Sequence, residues 1–165
     1  MDEAEMKKNA QFLIENLSGK EIPGSHSLTV RYKTLVNFAK VFGIKNPKYV
    51  GSEEEVIACH AFANHYTIKS LYTLLLGMKL VQDGKERDFI LNLGKLLHAS
   101  QKYNWDGCVD IRPGDRLTAT GKWGKVWLIE ANMILFAQLI VEVKNQNNEL
   151  VCRPVVSAAI RPGGY

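Results

Sequence analysis

The sequence predicts an α+β fold in which helices come first and an antiparallel sheet follows. Two observations carry this. The stretch from Phe62 to Leu80, read as a helix, is apolar on nearly all sides and must be enclosed by other structure. The C-terminal half then holds consecutive strand-length runs separated by turn residues rather than by helices, the pattern of α+β and not of alternating β/α units.

In chain order, Met6, Ala10, Leu13, Ile14 and Leu17 follow helical spacing, and Ser18-Gly19 supplies a stop. Beyond Pro23-Gly24, the segment from Ser27 to Val30 has strand character. Leu35, Phe38, Ala39 and Phe42 then mark one face of a second helix closed by Gly43, and Asn46-Pro47 forces a turn. Glu53 to Glu55 read as a solvated loop or helix start ahead of the long apolar helix, within which Gly77 implies close packing or an early end. Asp83-Gly84 marks a loop. From Leu97 the residues alternate, with Leu97, Ala99, Gln101, Tyr103 and Trp105 on the face expected to be buried. Pro113 to Asp115 turns the chain into a strand at Leu117 to Thr120, Gly121 and Gly124 offer a bulge or turn, and Asn132–Val143 and Leu150–Ile160 are two further strands.

One buried helix against one antiparallel sheet describes a hot-dog fold; a sandwich with helices on one face, such as a cystatin-like roll, is the alternative. At 165 residues the expectation is a single hot-dog domain over 1–165, with 1–17 as an N-terminal helical extension.

Composition narrows the function classes. The 21 basic and 17 acidic side chains are spread evenly, with 10 and 8 in residues 1–82 and 11 and 9 in residues 83–165, so no basic stripe for nucleic acid exists. Cys59, Cys108 and Cys152 are odd in number and far apart, which points to a reducing compartment rather than a disulfide framework or a metal knuckle. The chain start has no apolar core, and the apolar run Met133 to Val143 falls short of the ~18 residues of a membrane span. A cytoplasmic protein without membrane contact is expected. No phosphate-binding glycine loop, nucleophile elbow or zinc-protease helix occurs, and neither a metal nor a cofactor is expected.

His60 and His65 are the candidate acid–base groups. Five-residue spacing turns the second by roughly 140° from the first, which suits metal ligation poorly. Either can serve near a helix start as a general base, or sit hydrogen-bonded and inert. Cys59 precedes the same helix, where N–H groups favour a nucleophile, though a small packing residue is equally served by cysteine.

Two stretches together resemble the MaoC-like hydratase/dehydratase group of hot-dog proteins, particularly its fatty-acid-synthase-like N-terminal dehydratase domain. The first is Leu17-Ser-Gly-Lys-Glu21 followed by Val36 to Tyr49; the second is His98 to Tyr103, then Ile111 to Gly121, then Asn147 to Val151. In the active hydratases of that group a G-D-x-N-P-L-H loop supplies an Asp–His dyad that adds or removes water across the α,β-bond of an acyl thioester. Here the loop is Gly43-Ile44-Lys45-Asn46-Pro47-Lys48-Tyr49, with Ile44 at the acid position and Tyr49 at the base position. Isoleucine transfers no proton, and a phenol of ordinary pKa ~10 is a poor base near neutrality. Of the group's Pro-Pro-Thr-Phe-Pro start to the central helix, only Phe62 matches.

The resemblance implies a non-catalytic, acyl-thioester-binding subunit of an (R)-3-hydroxyacyl-CoA or acyl-carrier-protein dehydratase (enoyl-CoA hydratase). Its partner would be a second copy or, as a heterodimer, a dyad-bearing MaoC-like subunit. Asn46, Cys59, His60, Phe62, Asn64, Tyr103 and Trp105 are the expected substrate contacts. One alternative is a homodimeric hydratase or thioesterase with relocated groups drawn from His60, His65, Asn64 and Tyr49. The other is an acyl-CoA-binding accessory module.

Overall fold

The computed structural model describes residues 1–75 and 78–165. Along the chain lie α1 (Glu3–Leu17), β1 (Glu21–Thr29), α2 (Tyr32–Val41), α3 (Pro47–Val50), a 3₁₀ turn at His60–Phe62, α4 (Ala63–Leu75), β2 (Lys79–Gln82) and β3 (Lys85–Asp88). They are followed by a second 3₁₀ turn at Leu93–Lys95, then β4 (Leu96–Asn104), β5 (Arg116–Ile129), β6 (Ile134–Lys144) and β7 (Leu150–Ile160). Five strands form one antiparallel sheet in the order β1-β5-β6-β7-β4, and β2 with β3 forms a separate hairpin. The sheet packs on α4 as a hot-dog fold.

Period-two patterning builds the core. Along β6, Leu135, Ala137, Leu139, Val141 and Val143 are buried while their neighbours are half-exposed. This face meets α4 in two apolar groups. Around the helix start, Phe62, Ala63 and Tyr66 pack with Leu117, Ala119, Val141, Val151 and Cys152. Towards its end, Leu74 packs with Trp123, Leu139 and Phe89, and α1 adds Ala10, Leu13 and Leu17. Gly121 lets helix and sheet meet closely, since a Cβ there would stand 3.2 Å from Ile22 Cδ1 and 3.4 Å from Leu74 Cδ1.

Several expectations are corrected. The long helix begins only at Ala63 and is described to Leu75, while Lys79 and Leu80, expected within it, form β2; the expectation at Gly77 lies outside the described residues. Asp83-Gly84 is the two-residue turn of a hairpin, with both residues at positive φ (52° and 74°), the geometry that Asp-Gly favours. Nor is α4 enclosed all round, because Tyr72 is 55% and Ile68 40% exposed. On β4 a register shift between His98 and Ser100 breaks the expected alternation: Gln101 and Tyr103 are half-buried, but Leu97 and Ala99 are exposed. β1 starts earlier than expected and carries Pro23 and Gly24 within it, tolerated because it is an edge strand. Of the bulge or turn expected at Gly121 or Gly124, the structure has the bulge, between Trp123 and Val126 within one continuous β5.

Replacing the fully buried Leu139 by Ala should cost about 2–5 kcal/mol, measured as the shift in urea unfolding, because the cavity it leaves lies between two rigid elements.

Candidate functional site

The loop after α2 is fixed by its cap. Gly43 N–H donates to Lys40 O (2.9 Å) and Ile44 N–H to Ala39 O (3.2 Å), with Gly43 at φ +71°, which is a Schellman ending. In that motif the residue after the glycine packs back on the helix. Ile44 holds that place, half-buried against the core group that includes Ala39. Asn46 then caps α3, its Oδ1 accepting from Lys48 N–H at 3.0 Å, and Tyr49 packs half-buried on the same apolar group. Ile44 and Tyr49 are therefore both packing residues of this apolar group.

Next to this loop lies the start of α4. His60, exposed, stacks on Trp105 (ring centroids 4.4 Å, 16° between planes), and Trp105 stacks on Tyr103 (5.5 Å, 19°). The Tyr103 hydroxyl donates to Asn64 Oδ1 (2.9 Å) and accepts from Gln101 Nε2, while Asn64 Nδ2 donates to Ala61 O at 3.3 Å. His60, Asn64, Tyr103 and Trp105 thus form one polar–aromatic cluster that ties β4 to the helix start. Cys59 and Phe62 are buried in the core beside it. A cavity of about 70 Å³ opens between them, lined by Cys59, His60, Tyr66, Trp105, Cys108 and Asp110 among others.

His65 faces the other way. It stacks on Phe62 (5.1 Å, 21°), meets Phe38, and lies 3.4 Å through Nε2 from Lys69 Nζ. Desolvation first, and the Lys69 charge second, lower its pKa, so the imidazole is neutral at pH 7. Burial raises the pKa of the Tyr103 phenol, and more strongly that of Tyr66. The Tyr66 hydroxyl, fully buried, has no hydrogen-bond partner and faces Cys152, whose thiol is pushed up to about 11 chiefly by burial. These groups are held neutral.

A far larger cavity, about 520 Å³, opens along the second half of α4. Ile68, Leu71, Tyr72 and Leu75 line it from the helix; Leu96, Leu97 and His98 from β4; Leu139 from β6; and Val156 to Ala158 from β7. Its size falls in the ~300–1,000 Å³ range of small-molecule sites, and its wall is mostly apolar. Of the carboxylates, Asp88 alone lines it, and Lys79 Nζ holds that group at 2.7 Å.

None of the residues named from the sequence as substrate contacts lines this cavity. The missed residues had a signal: Ile68, Tyr72 and Leu75 follow helical spacing on one side of α4, a face that the reading of an all-round apolar helix obscured. His98, weighed as a strand residue on a polar face, is part of the lining.

A family model described as FAS1-like, dehydratase domain region matches residues 16–153. Among solved structures, the R-hydratase PhaJ1 from Pseudomonas aeruginosa is 15% identical, with 90% of this chain and 84% of that chain covered and a TM-score of 0.62. A MaoC-like dehydratase from Rhodospirillum rubrum is 16% identical (89% and 94% covered, TM-score 0.64). The HadBC (3R-hydroxyacyl-ACP dehydratase) complex of Mycobacterium tuberculosis is 14% identical (87% and 97%, TM-score 0.64). At these identities the likeness establishes the fold. No curated protein sequence matches the chain significantly.

The lowered pKa of His65 makes folding stability pH-dependent. Above the unfolded value of 6.5 both states hold the neutral ring and nothing is lost; as pH falls through 6.5 and then the lower folded value, the unfolded chain takes up the proton first and stability drops. His65→Gln should flatten the fall in urea midpoint between pH 7.5 and 5 relative to the parent. Equal falls in both would remove this account.

Proposed function

The chain belongs to the FAS1-like dehydratase domain family, within the MaoC-like hot-dog group, and from this premise we propose that it is a non-catalytic, acyl-thioester-binding subunit of a dehydratase or enoyl-thioester hydratase acting on (R)-3-hydroxyacyl groups. The observation that carries this reading is the fate of the dyad positions: Ile44 is the packing residue of a helix cap and Tyr49 a packing residue of the core. Isoleucine has no proton to transfer, and a phenol is a poor base near neutrality.

The rest of the site suits binding. The polar cluster at Asn64 and the far wall of the apolar cavity at Leu75 are eleven residues apart on one helix, about 16 Å. A ligand meeting both is elongated, polar at one end and apolar along its tail, as an acyl thioester is. In this reading the cluster of Asn64, Tyr103, Trp105 and His60 stands by the thioester, with Asn46, Cys59 and Phe62 supporting the loop and helix start around it. The large cavity takes the acyl tail. The proton-transfer groups come from a partner of the same fold.

Edge chemistry favours such a partner. β4 pairs only with β7, so one side of its backbone is free, and it carries no proline between Leu96 and Asn104. A second hot-dog unit, identical or dyad-bearing, would continue the sheet there and cover the exposed Ile68, Tyr72 and Leu97. The unit is read as one domain over 1–165, with α1 as its extension, working in the cytoplasm without metal or cofactor.

The purified chain should hydrate crotonyl-CoA and longer 2-enoyl-CoA little or not at all, since each missing acid or base forfeits ~10²–10⁴ in rate. Co-expression with a dyad-bearing subunit should restore turnover, and Ile44→Asp with Tyr49→His should confer some on the chain alone. Rapid turnover by the unmodified chain, abolished by His60→Ala or His65→Ala in a stable protein, would replace this reading by one with relocated groups. Acyl-CoA binding with no turnover alongside any partner would leave an accessory module. In sedimentation, a stable monomer at micromolar concentration, alone and with the partner, would remove the continued sheet.

A further inference from the structure

We propose that the C-terminal end of α2 is a docking surface for an acidic protein, and that this protein is the carrier on which the acyl group arrives. The proposal rests on the acyl-thioester reading and adds that the thioester is borne by a protein rather than by coenzyme A.

Two features coincide at this end of α2. Val41 is 82% and Phe42 61% exposed, the largest exposure of adjacent apolar side chains on the molecule's described surface. Phe42 is not loose: its ring meets Phe38 at 5.1 Å, and the Schellman ending at Gly43 and Ile44 holds the backbone beneath it. In the chain segments that build this end of α2 and the start of α4 the charge has one sign. From Ile22 to Ser52 the sequence holds Arg31, Lys33, Lys40, Lys45 and Lys48 and no acidic residue, and from Val56 to Gln82 it holds Lys69 and Lys79 and none. Lys40 and Lys45 flank the pair directly. Lys69 joins them through His65, which meets Phe38. All three are exposed, and among the described residues none makes an ion pair.

The acids nearest in sequence, Glu53 to Glu55, lie towards the other end of α2. Tyr32 at its start donates to Gly51 O at 2.8 Å, and ten helical residues separate that point from Val41 by about 14 Å. The carbonyls of Ala39 and Lys40, which would repel an anion at a helix C-terminus, are occupied by the N–H groups of Ile44 and Gly43.

The combination selects the occupant. The phosphates of coenzyme A would satisfy the lysines but leave Val41 and Phe42 in water. An acidic amphipathic helix on a protein satisfies both, its apolar residues covering the pair and its carboxylates meeting the ring of lysines. The surface also adjoins the loop Gly43–Tyr49 that borders the candidate site, so a carrier seated there stands within reach of the helix start.

The test compares one decanoyl group on three handles: a holo-acyl carrier protein, coenzyme A and pantetheine, each titrated into the full chain. The carrier form should bind at least tenfold more tightly than the pantetheine form, and the difference should shrink at 0.5 M salt, where the screening length is about 4 Å. Val41→Ser with Phe42→Ser, and separately Lys40→Glu with Lys45→Glu, should each cost the carrier form at least tenfold while leaving decanoyl-pantetheine binding unchanged. Equal binding of the carrier and pantetheine forms, or a carrier affinity indifferent to all four substitutions, overturns the proposal. So does tighter coenzyme A binding that depends on the lysines and not on Val41 and Phe42. Failure of every decanoyl form to bind, with the apo carrier still bound through Val41 and Phe42, would instead sink the acyl-thioester reading and spare the docking surface.

Discussion

The structure depends on how closely one helix can lie against one sheet. Tyr66, Thr67, Ser70 and Leu74 are the buried side of α4, and the small Ser70 and Gly121 let that side approach β5 and β6. Ser70 turns its hydroxyl back to Tyr66 O at 2.8 Å, so a polar residue enters the core without an unmet donor. Because five strands cannot curl fully round one helix, the other side of α4 is left open, and the large cavity and the free edge of β4 are both consequences. Closing the gap with a bigger side chain on α4 would improve the monomer and remove the site.

The interior carries an unusual polar cost. Among the described residues, the hydroxyl groups of Tyr66 and Thr67 and the indole N–H of Trp123 are all buried without hydrogen-bond partners. Such groups cost about 1–3 kcal/mol each where nothing replaces water. Tyr66 and Thr67 lie beside the tie between Asn64 and Tyr103, where the helix start meets β4. The apolar parts of the core, above all α1 on β5 and β6, must offset this, so the N-terminal helix is structural support for a site it does not touch.

Much of the architecture was legible because it rests on period. The 3.6 repeat of α1 survives in the structure almost residue for residue, and β6 and β7 occupy the strand-length runs read at Asn132–Val143 and Leu150–Ile160. What escaped was set by tertiary contacts or by single-residue geometry. The bulge on β4 flips which side of the strand Leu97 faces, and no alternation in sequence can announce one inserted residue. Lys79 and Leu80 belong to a hairpin instead of the long helix, and Asp83-Gly84, read as a loop, is the hairpin signal for it. For the site, the loop Gly43–Tyr49 and the helix start were legible by resemblance, but the cavity was not: its wall comes from elements distant in sequence, α4, β3, β4, β6 and β7 among them. Pocket shape is a property of the fold.

The loop shows why chemistry and stability compete here. At the position where an active hydratase of this group holds a carboxylate, this chain places the apolar residue of a Schellman ending, whose contact with the helix helps to terminate α2. A carboxylate there would gain a proton-transfer group and lose that contact, leaving a half-buried group packed against the apolar core. Its pKa would rise, which suits an acid catalyst and weakens the fold. Isoleucine resolves the conflict in favour of packing. On the proposed reading, a protein built this way would retain the pocket while giving up the reaction, and an assembly in which another unit carries the dyad is the arrangement in which that exchange would cost no activity.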